Sequence, residues 1–584
     1  MKKINFILLL IISSLFIHSC SEKVKDGVYL IDIYATNDLH GRLFDTLYTE
    51  NSQTTQILQN RVHPYSLSAV STFIKDARSN SDRSMVLLDM GDHLQGDNSV
   101  FYYNFIDTTS NHIFAEVMNY LEYDAVVVGN HDIEAGPKVY NKIVREMKAP
   151  YLAANAIDEK SGKPYFKPYT IIKREGIKIA IIGMTNPNIP KWLSPDLWKG
   201  IKFQETVESL EYWVDYVISK EEPHLIVAAL HAGLGTTEEN SLENPARFVA
   251  SNVDGIDIVF AAHDHRSTAE VVYNGDRPVW VMEGGSRGSS LSHASIKIGV
   301  SDGIIVSKNI EGALISMREI EPDKEYNNYF KESFNNIKEF TNRYVGSLTK
   351  SITTRDAYFG SSEYIDMIHT LQLENSGADI SFVAPLSMDV TVKAGDLNFQ
   401  DLLNIYPYEN QLYVMELTGE EIKNYLEFSY SKWVNKMEGK DASLLLLNIG
   451  GRGDRGRFKN IFFNFDSAAG LIYEVDATKG DGERIVIFSE SNGQSFDLQK
   501  RYKVAISSYR ASGGGDMLEL GAGIPREELE GRVVERLSDI REMLYNKLKR
   551  DGSISPERLN NWKFVPEDLV KGAAVRDYKT LFGE

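Results

Sequence analysis

The sequence predicts a two-domain protein whose first half is a layered α/β fold. Three observations carry this. Short apolar strands alternate with helical segments from residue 28 to about 318, the pattern that builds largely parallel sheets. Five of those strands run into turns holding Asp, His or Asn, at the sheet edge where α/β proteins collect ligands. A helical stretch at 321–345 then separates this half from a more mixed one, and 584 residues exceed what one hydrophobic core supports.

Taken in order, Lys2-Lys3 precede an apolar run at 4–17 that ends in Ile17-His18-Ser19-Cys20. The run is short for a bilayer span and reads as a bacterial lipoprotein signal over 1–20, cleaved before Cys20, the single cysteine. The expectation is a protein of the cell envelope, periplasmic or on the cell surface, held to the membrane only by a lipid on Cys20 and free of disulfides. Residues 21–27 (SEKVKDG) form a polar tether.

The first domain is expected over 28–320. A strand at 28–35 (VYLIDIYA) leads into Thr36-Asn37-Asp38-Leu39-His40-Gly41, and 66–77 has helical spacing. A second strand, MVLLDM from Met85, leads into Gly91-Asp92-His93-Leu94-Gln95-Gly96. After a helix at 113–121, the stretch 126–134 (VVVGNHDIE) puts three β-branched residues before Gly129, which allows a tight exit, and then Asn130-His131-Asp132. Strands at 177–183, 225–230 and 256–261 follow, the last two leading to His231-Ala232-Gly233 and His263-Asp264-His265.

A single linker helix is expected at 321–346, with Phe330, Phe334, Ile337 and Tyr344 on one stripe and Gly346 as its C-cap. The second domain, 347–552, mixes helices with strands near 380–384, 412–416, 471–475 and 502–507, and 553–584 is a C-terminal extension. Gly513-Gly514-Gly515 is a turn, since no Walker Lys follows it, and 451–457 (GRGDRGR) is an exposed loop.

Composition narrows the partners. Hydrophobic residues make up 42% and aromatics 11%, as in folded proteins. A net charge of −19 excludes a nucleic-acid polymer, which demands a basic surface. A small anion remains possible where a local metal cluster overrides that field. The strand-end residues supply one: Asp38, His40, Asp92, Asn130, His231, His263 and His265. They offer nitrogen and oxygen without thiolate, which suits Zn, Mn, Co or Fe. Seven ligands are too many for one such ion and right for two divalent metal ions sharing a carboxylate, with Asp92 the natural bridge. Two such ions bring +4, of which Asp38 and Asp92 cancel two. The remaining charge attracts phosphate and lowers the pKa of water from about 15.7 towards about 7. His131, beside Asn130, is left to protonate a leaving oxygen, oriented by Glu134 or Asp132.

TNDLHG, GDHLQG, GNHD, HAG and HDH, in this order, resemble the motifs of the calcineurin-like metallophosphoesterases, specifically the two-domain 5′-nucleotidase family, over about 28 to 565. The resemblance implies a four-layer αββα metallophosphoesterase domain, a linker helix and an α+β C-terminal substrate-binding domain. It implies Asp38, His40, Asp92 and His265 on one metal, Asp92, Asn130, His231 and His263 on the other, and His131 as catalytic histidine with Glu134 as its acidic partner. The Gly-Gly-x-Arg stretch common in enzymes cleaving 5′-nucleotides is replaced by Ala384-Pro385-Leu386-Ser387-Met388-Asp389, with no Arg and an added carboxylate. That stretch, 403–412 (LNIYPYENQL, with Asn410), 464–478, 507–515 and 560–566 resemble instead the 2′,3′-cyclic-nucleotide 2′-phosphodiesterase/3′-nucleotidase branch. There two aromatics of the second domain hold the base, here Tyr509 with Phe463 or Phe465 opposite. The expected activity is metal-dependent hydrolysis of nucleotide phosphoesters by a monomer. The alternatives are a 5′-nucleotidase or UDP-sugar hydrolase, and a surface lipoprotein that only binds nucleotides.

Overall fold

The computed structural model describes residues 24–46, 48, 65–448 and 458–583, so Cys20 with its apolar run and the 451–457 loop lie outside the described residues. Two six-stranded sheets make the centre of the first domain. One runs in the order Ile304–Ser316, Ser290–Ser301, Gly27–Thr36, Ser84–Asp89, Ala125–Val127, Tyr151–Leu152. The other runs Ser267–Asn274, Arg277–Gly284, Ile258–Phe260, Leu225–Leu230, Ile177–Met184, Tyr169–Arg174.

Alternation along the strands explains the layering. Ile31, Ile33, Val86 and Leu88 of the first sheet meet Ile179, Ile181, Val227 and Phe260 of the second in a dry interior. The intervening residues face outward: Tyr34 and Leu87 pack under the helices Leu67–Asn80, Ile113–Leu121 and Pro137–Glu146. On the far side Ala180, Ile226 and Ala228 pack under Thr206–Glu221 and Ala246–Asn252. A period of two with both faces apolar gives helix, sheet, sheet, helix, the four layers expected.

The central strands are parallel and level. Thr36 pairs with Asp89 and Asp89 with Val126; in the other sheet Met184 pairs with Leu230 and Phe260 with Ala229. Their carboxyl ends therefore share one edge, and every motif lands there.

Two expectations are corrected. The stretch 321–346 is not one helix. It forms Lys324–Tyr329 and Lys331–Thr341, broken at Phe330, and then the strand Tyr344–Leu348. Tyr326, Phe330 and Ile337 are buried against the first domain's outer core, with Phe334 packed beside them, while Phe340 turns to Phe399 of the second domain, 4.4 Å between ring centroids. The aromatic stripe follows two surfaces, and the change from one to the other falls between Ile337 and Phe340, within the second helix. Gly346 lies inside the strand at φ +144°, where a Cβ would meet Leu548 Cδ2 at 2.8 Å. Nor is 553–584 an appendage. Trp562–Val565 adds a parallel strand beside Leu471–Asp476, and Ala573 and Leu581 of the helix Glu567–Phe582 enter the second domain's core. The second domain's main sheet has the order Ser467–Ala469, Ile380–Val383, Arg501–Ser507, Gln411–Thr418, Val533–Asp539. No helix among the described residues is long and apolar enough to cross a membrane.

Candidate metal centre

Each functional turn begins where a parallel strand stops. Five of the seven expected ligands adopt left-handed backbone: Asp38 and His40 at φ 45°, Asp92 at 57°, His263 at 89° and His265 at 58°. For non-glycine residues this costs on the order of 1–3 kcal/mol each and persists only where the surroundings impose it. Gly129 is needed for space rather than for conformation. Its φ is an ordinary −91°, but a Cβ would lie 2.1 Å from Asp92 Oδ1.

The turns converge into two donor sets. Asp38, His40 and His265 form one, and Asp92, His231 and His263 the other, with the ligand atoms of each set within 4.8 Å of one another. Asn130 Oδ1 joins the second set, 3.1 Å from His231 Nε2 and 2.9 Å from His263 Nδ1. Asp92 Oδ2 is 3.2 Å from His231 Nε2, and in the first set His40 Nε2 faces His265 Nε2 at 3.0 Å.

Whether these atoms suit cations is decided by the hydrogen bonds behind the rings. His40 Nδ1 lies 3.0 Å from the Gln95 carbonyl and His231 Nδ1 2.7 Å from that of Met90. A carbonyl only accepts, so each Nδ1 carries the proton and each Nε2 turns a lone pair inward. His263 sets its Nε2 against Glu243 Oε1 at 3.3 Å, which leaves Nδ1 facing Asn130. Imidazole, carboxylate and amide lone pairs thus face one another at about 3 Å, an arrangement that repels unless a cation lies among them. Without metal a proton on His231 supplies part of that charge: although burial opposes both ions, Asp92 raises the His231 pKa to about 10 and His231 in turn holds the Asp92 carboxyl well below the usual carboxylate range.

His131 belongs to neither set. Its main-chain N–H donates to Asp92 Oδ1 at 2.8 Å, and its Nδ1 bonds the Glu134 carboxylate. The ring stays 25% exposed, with its centroid 5.5 Å from that of His40. Burial disfavours its charge, yet Asp92 and Glu134 raise it to about 9. Of the two expected orienting carboxylates, Glu134 alone takes the role. Asp132 accepts the main-chain N–H groups of Gly129 (2.7 Å), Asp92 (3.1 Å), His93 (2.9 Å) and Leu94 (3.2 Å), and so ties the two ligand turns together.

The second domain closes over this edge. Gln95 Nε2 donates to the Pro407 carbonyl at 3.3 Å and Asn98 Nδ2 to Gln400 Oε1 at 2.6 Å, while Lys191 pairs with Asp516 and Ser194 bonds Tyr413. Tyr509, on the short helix Ser508–Ala511, is half-buried, as is Phe463, whose ring meets Tyr408 edge-on at 6.3 Å. Phe465 is a correction: it is fully buried, stacked on Trp433 at 5.7 Å and against Phe458, so it is core. Asn410 is 9% exposed and its carbonyl accepts the N–H of Ile540, which seats it at the root of the 406–410 loop. Asp389 presents no free charge, because Arg355 forks onto it at 2.6 and 3.2 Å.

Sequence reasoning missed Gln95 and Glu243. Gln95 stood inside GDHLQG as a candidate in plain view; Glu243 had no motif around it, and its contact with His263, whose ring also stacks on Trp192 at 5.2 Å, exists only once the fold is made.

Comparison with known proteins agrees with this layout. The Calcineurin-like phosphoesterase family matches residues 31–267, and the 5'-nucleotidase, C-terminal domain, family matches 342–520. A trifunctional nucleotide phosphoesterase protein of Bacillus subtilis is 25% identical over 96% of this chain, which spans only 40% of that protein's length. A 2',3'-cyclic-nucleotide 2'-phosphodiesterase/3'-nucleotidase of Yersinia enterocolitica is 24% identical over 91% of this chain and 88% of its own. A Staphylococcus aureus protein solved with alpha-ketoglutarate shares the fold, with a TM-score of 0.75 at 20% identity over 92% of this chain and 99% of that one. The chain belongs to the metallophosphoesterases, a phosphoester hydrolase in which a calcineurin-like phosphoesterase domain is joined to a 5′-nucleotidase C-terminal domain.

Proposed function

We propose that the protein hydrolyses nucleotide phosphoesters at a dinuclear centre, with 2′,3′-cyclic nucleotides and 3′-nucleotides preferred over 5′-nucleotides. The observation that carries the reading is the pair of complete inward-facing donor sets with His131–Glu134 at their rim. A protein that only bound nucleotides would have no need to keep all seven ligands, five of them in left-handed backbone, and a partnered histidine beside them.

Two divalent ions of the Zn, Mn, Co or Fe type, when bound by these sets, supply the Lewis acidity that activates water and stabilises charge on phosphorus. Asp92, whose Oδ2 faces His231 and whose Oδ1 accepts the N–H of His131, would be the carboxylate shared by the two ions. His131, held through Nδ1 by Glu134, presents Nε2 to give a proton to the departing oxygen. Tyr509 and Phe463 are assigned to the base, where stacking contributes about 1–3 kcal/mol and tolerates any base. With the phosphate fixed at the first domain and the base at the second, the span between them selects where on the ribose the phosphate is attached. The lipoprotein-like N-terminus supports placing the enzyme in the cell envelope on a lipid at Cys20, and we assign it the role of a monomeric scavenger of nucleotides or phosphate.

Initial rates on 2′,3′-cyclic AMP, 3′-AMP, 5′-AMP and a UDP-sugar test this. Higher kcat/KM on the first two is expected; an equal or higher value for 5′-AMP overturns the preference. In that outcome the 5′-nucleotidase reading takes its place.

A further inference from the structure

Arg287 stands on the tight connection between the strands Arg277–Gly284 and Ser290–Ser301. The loop is stiff by construction. Gly285, Arg287 and Gly288 sit at φ 74°, 57° and 71°, and the Ser289 N–H bonds the Ser286 carbonyl at 3.0 Å. The Arg287 N–H bonds the carbonyl of Asp38 at 2.8 Å, so this backbone is fastened directly to a residue of the first donor set. An arginine in left-handed backbone is costly where Gly or Asn would serve, so its side chain is the part worth keeping.

That side chain is exposed, and among the described residues its guanidinium has no hydrogen bond or ion pair. Its charge is felt at His40 of the first donor set and at Arg42, which itself has a buried Nε without a partner. Three arginines of the second domain, by contrast, are held by carboxylates: Arg355 by Asp389, Arg510 by Asp466 at 2.7 Å, and Arg541 by Glu409 at 2.5 Å. In a chain of net charge −19, an unmatched cation clasped to a metal-ligand turn is well suited to receive an anionic oxygen.

We propose that Arg287 is a substrate-binding residue that meets a non-bridging phosphate oxygen on the Asp38–His40 side of the centre, and so favours the dianionic 3′-monoester over the monoanionic 2′,3′-cyclic diester. The assignment rests on the nucleotide phosphoesterase reading above, but its charge logic holds for any phosphomonoester.

The test uses the full chain loaded with Mn²⁺, comparing the native protein with R287A and R287K. Removing a charge-assisted hydrogen bond to the monoester should lower kcat/KM for 3′-AMP by about 30-fold in R287A, with a reduction of at most about fivefold for 2′,3′-cyclic AMP. The inhibition constant of inorganic phosphate, read with p-nitrophenyl phosphate as substrate, should rise by about tenfold, and R287K should recover part of each effect. Metal content and unfolding temperature should stay at native values, because the main-chain bond to Asp38 remains. Equal reductions on the two nucleotides, or unchanged phosphate inhibition, overturn the proposal. Native protein inactive on both nucleotides would overturn the nucleotide reading alone, and the phosphate arm would still decide Arg287.

Discussion

Replacing Gly129 with Ala adds one methyl group at the most crowded point of the centre. The new Cβ would stand 2.1 Å from Asp92 Oδ1, 2.4 Å from Asp92 N and 2.9 Å from Asp92 Cγ. Restoring ordinary contact with Oδ1 requires a separation of about 1.4 Å more. Asp92 has nowhere to retreat: its Oδ1 holds the His131 N–H at 2.8 Å, its own N–H holds Asp132 at 3.1 Å, and its carbonyl holds the His40 N–H at 2.9 Å. The shift must therefore pass into the carboxylate assigned to bridge the two sets, and into His131 with it. A misplacement of about 1 Å typically costs on the order of 10²-fold in rate, and overpacking of this kind about 1–3 kcal/mol in stability. The assay is kcat on p-nitrophenyl phosphate, which makes no demand on the base site, together with metal content and thermal unfolding. A Gly129→Ala protein holding two ions per chain at undiminished kcat would refute the close-approach reasoning, since backbone conformation at φ −91° gives alanine no difficulty.

Other expectations follow from the same geometry. His131→Ala should keep both metals yet lose about 10²–10⁴-fold in kcat on 3′-AMP, and much less on p-nitrophenyl phosphate, whose leaving group needs no proton; equal losses would make the residue structural. Tyr509→Ala should raise KM for nucleotides and leave p-nitrophenyl phosphate almost untouched. Phe465→Ala should do the reverse, losing about 3–5 kcal/mol of stability through a cavity beside Trp433 with little change in nucleotide KM; a KM effect without destabilisation would restore Phe465 to the clamp. Removing metals with a chelator should lower the unfolding temperature and adding Mn²⁺ back should raise it with concentration, because the facing lone pairs of His40, His265, His231 and Asn130 repel in the apo state. A melting temperature indifferent to metal would contradict that.

The core strands and all seven donors were legible because both signals are local. Leu225–Leu230 and Ile113–Leu121 occur as their apolar patterns predict, and a motif after a parallel strand has only one edge of the sheet to occupy. The linker was misread because a four-residue aromatic spacing satisfies a helix equally well whether one surface receives it or two. Tyr326, Phe330 and Ile337 pack on the first domain and Phe340 on Phe399, so the change of surface falls within the helix Lys331–Thr341 and is not something periodicity shows.

Residue chemistry and chain order alone determined that this protein carries two nitrogen–oxygen donor sets, a histidine beside them with a nearby carboxylate, and a second domain with aromatics to offer. Those properties are carried by side-chain type and by the alternation of strands. Tertiary structure alone decided which nitrogen of each ring faces inward, that Glu134 rather than Asp132 orients His131, that Phe463 rather than Phe465 is available, and that Arg287 stands beside Asp38. Each depends on a partner that the fold brings into range: His40 is oriented by a carbonyl 55 residues away and His231 by one 141 residues away. A hydrogen bond acts over about 3 Å, and which distant groups come within that range is fixed only when the sheets have packed.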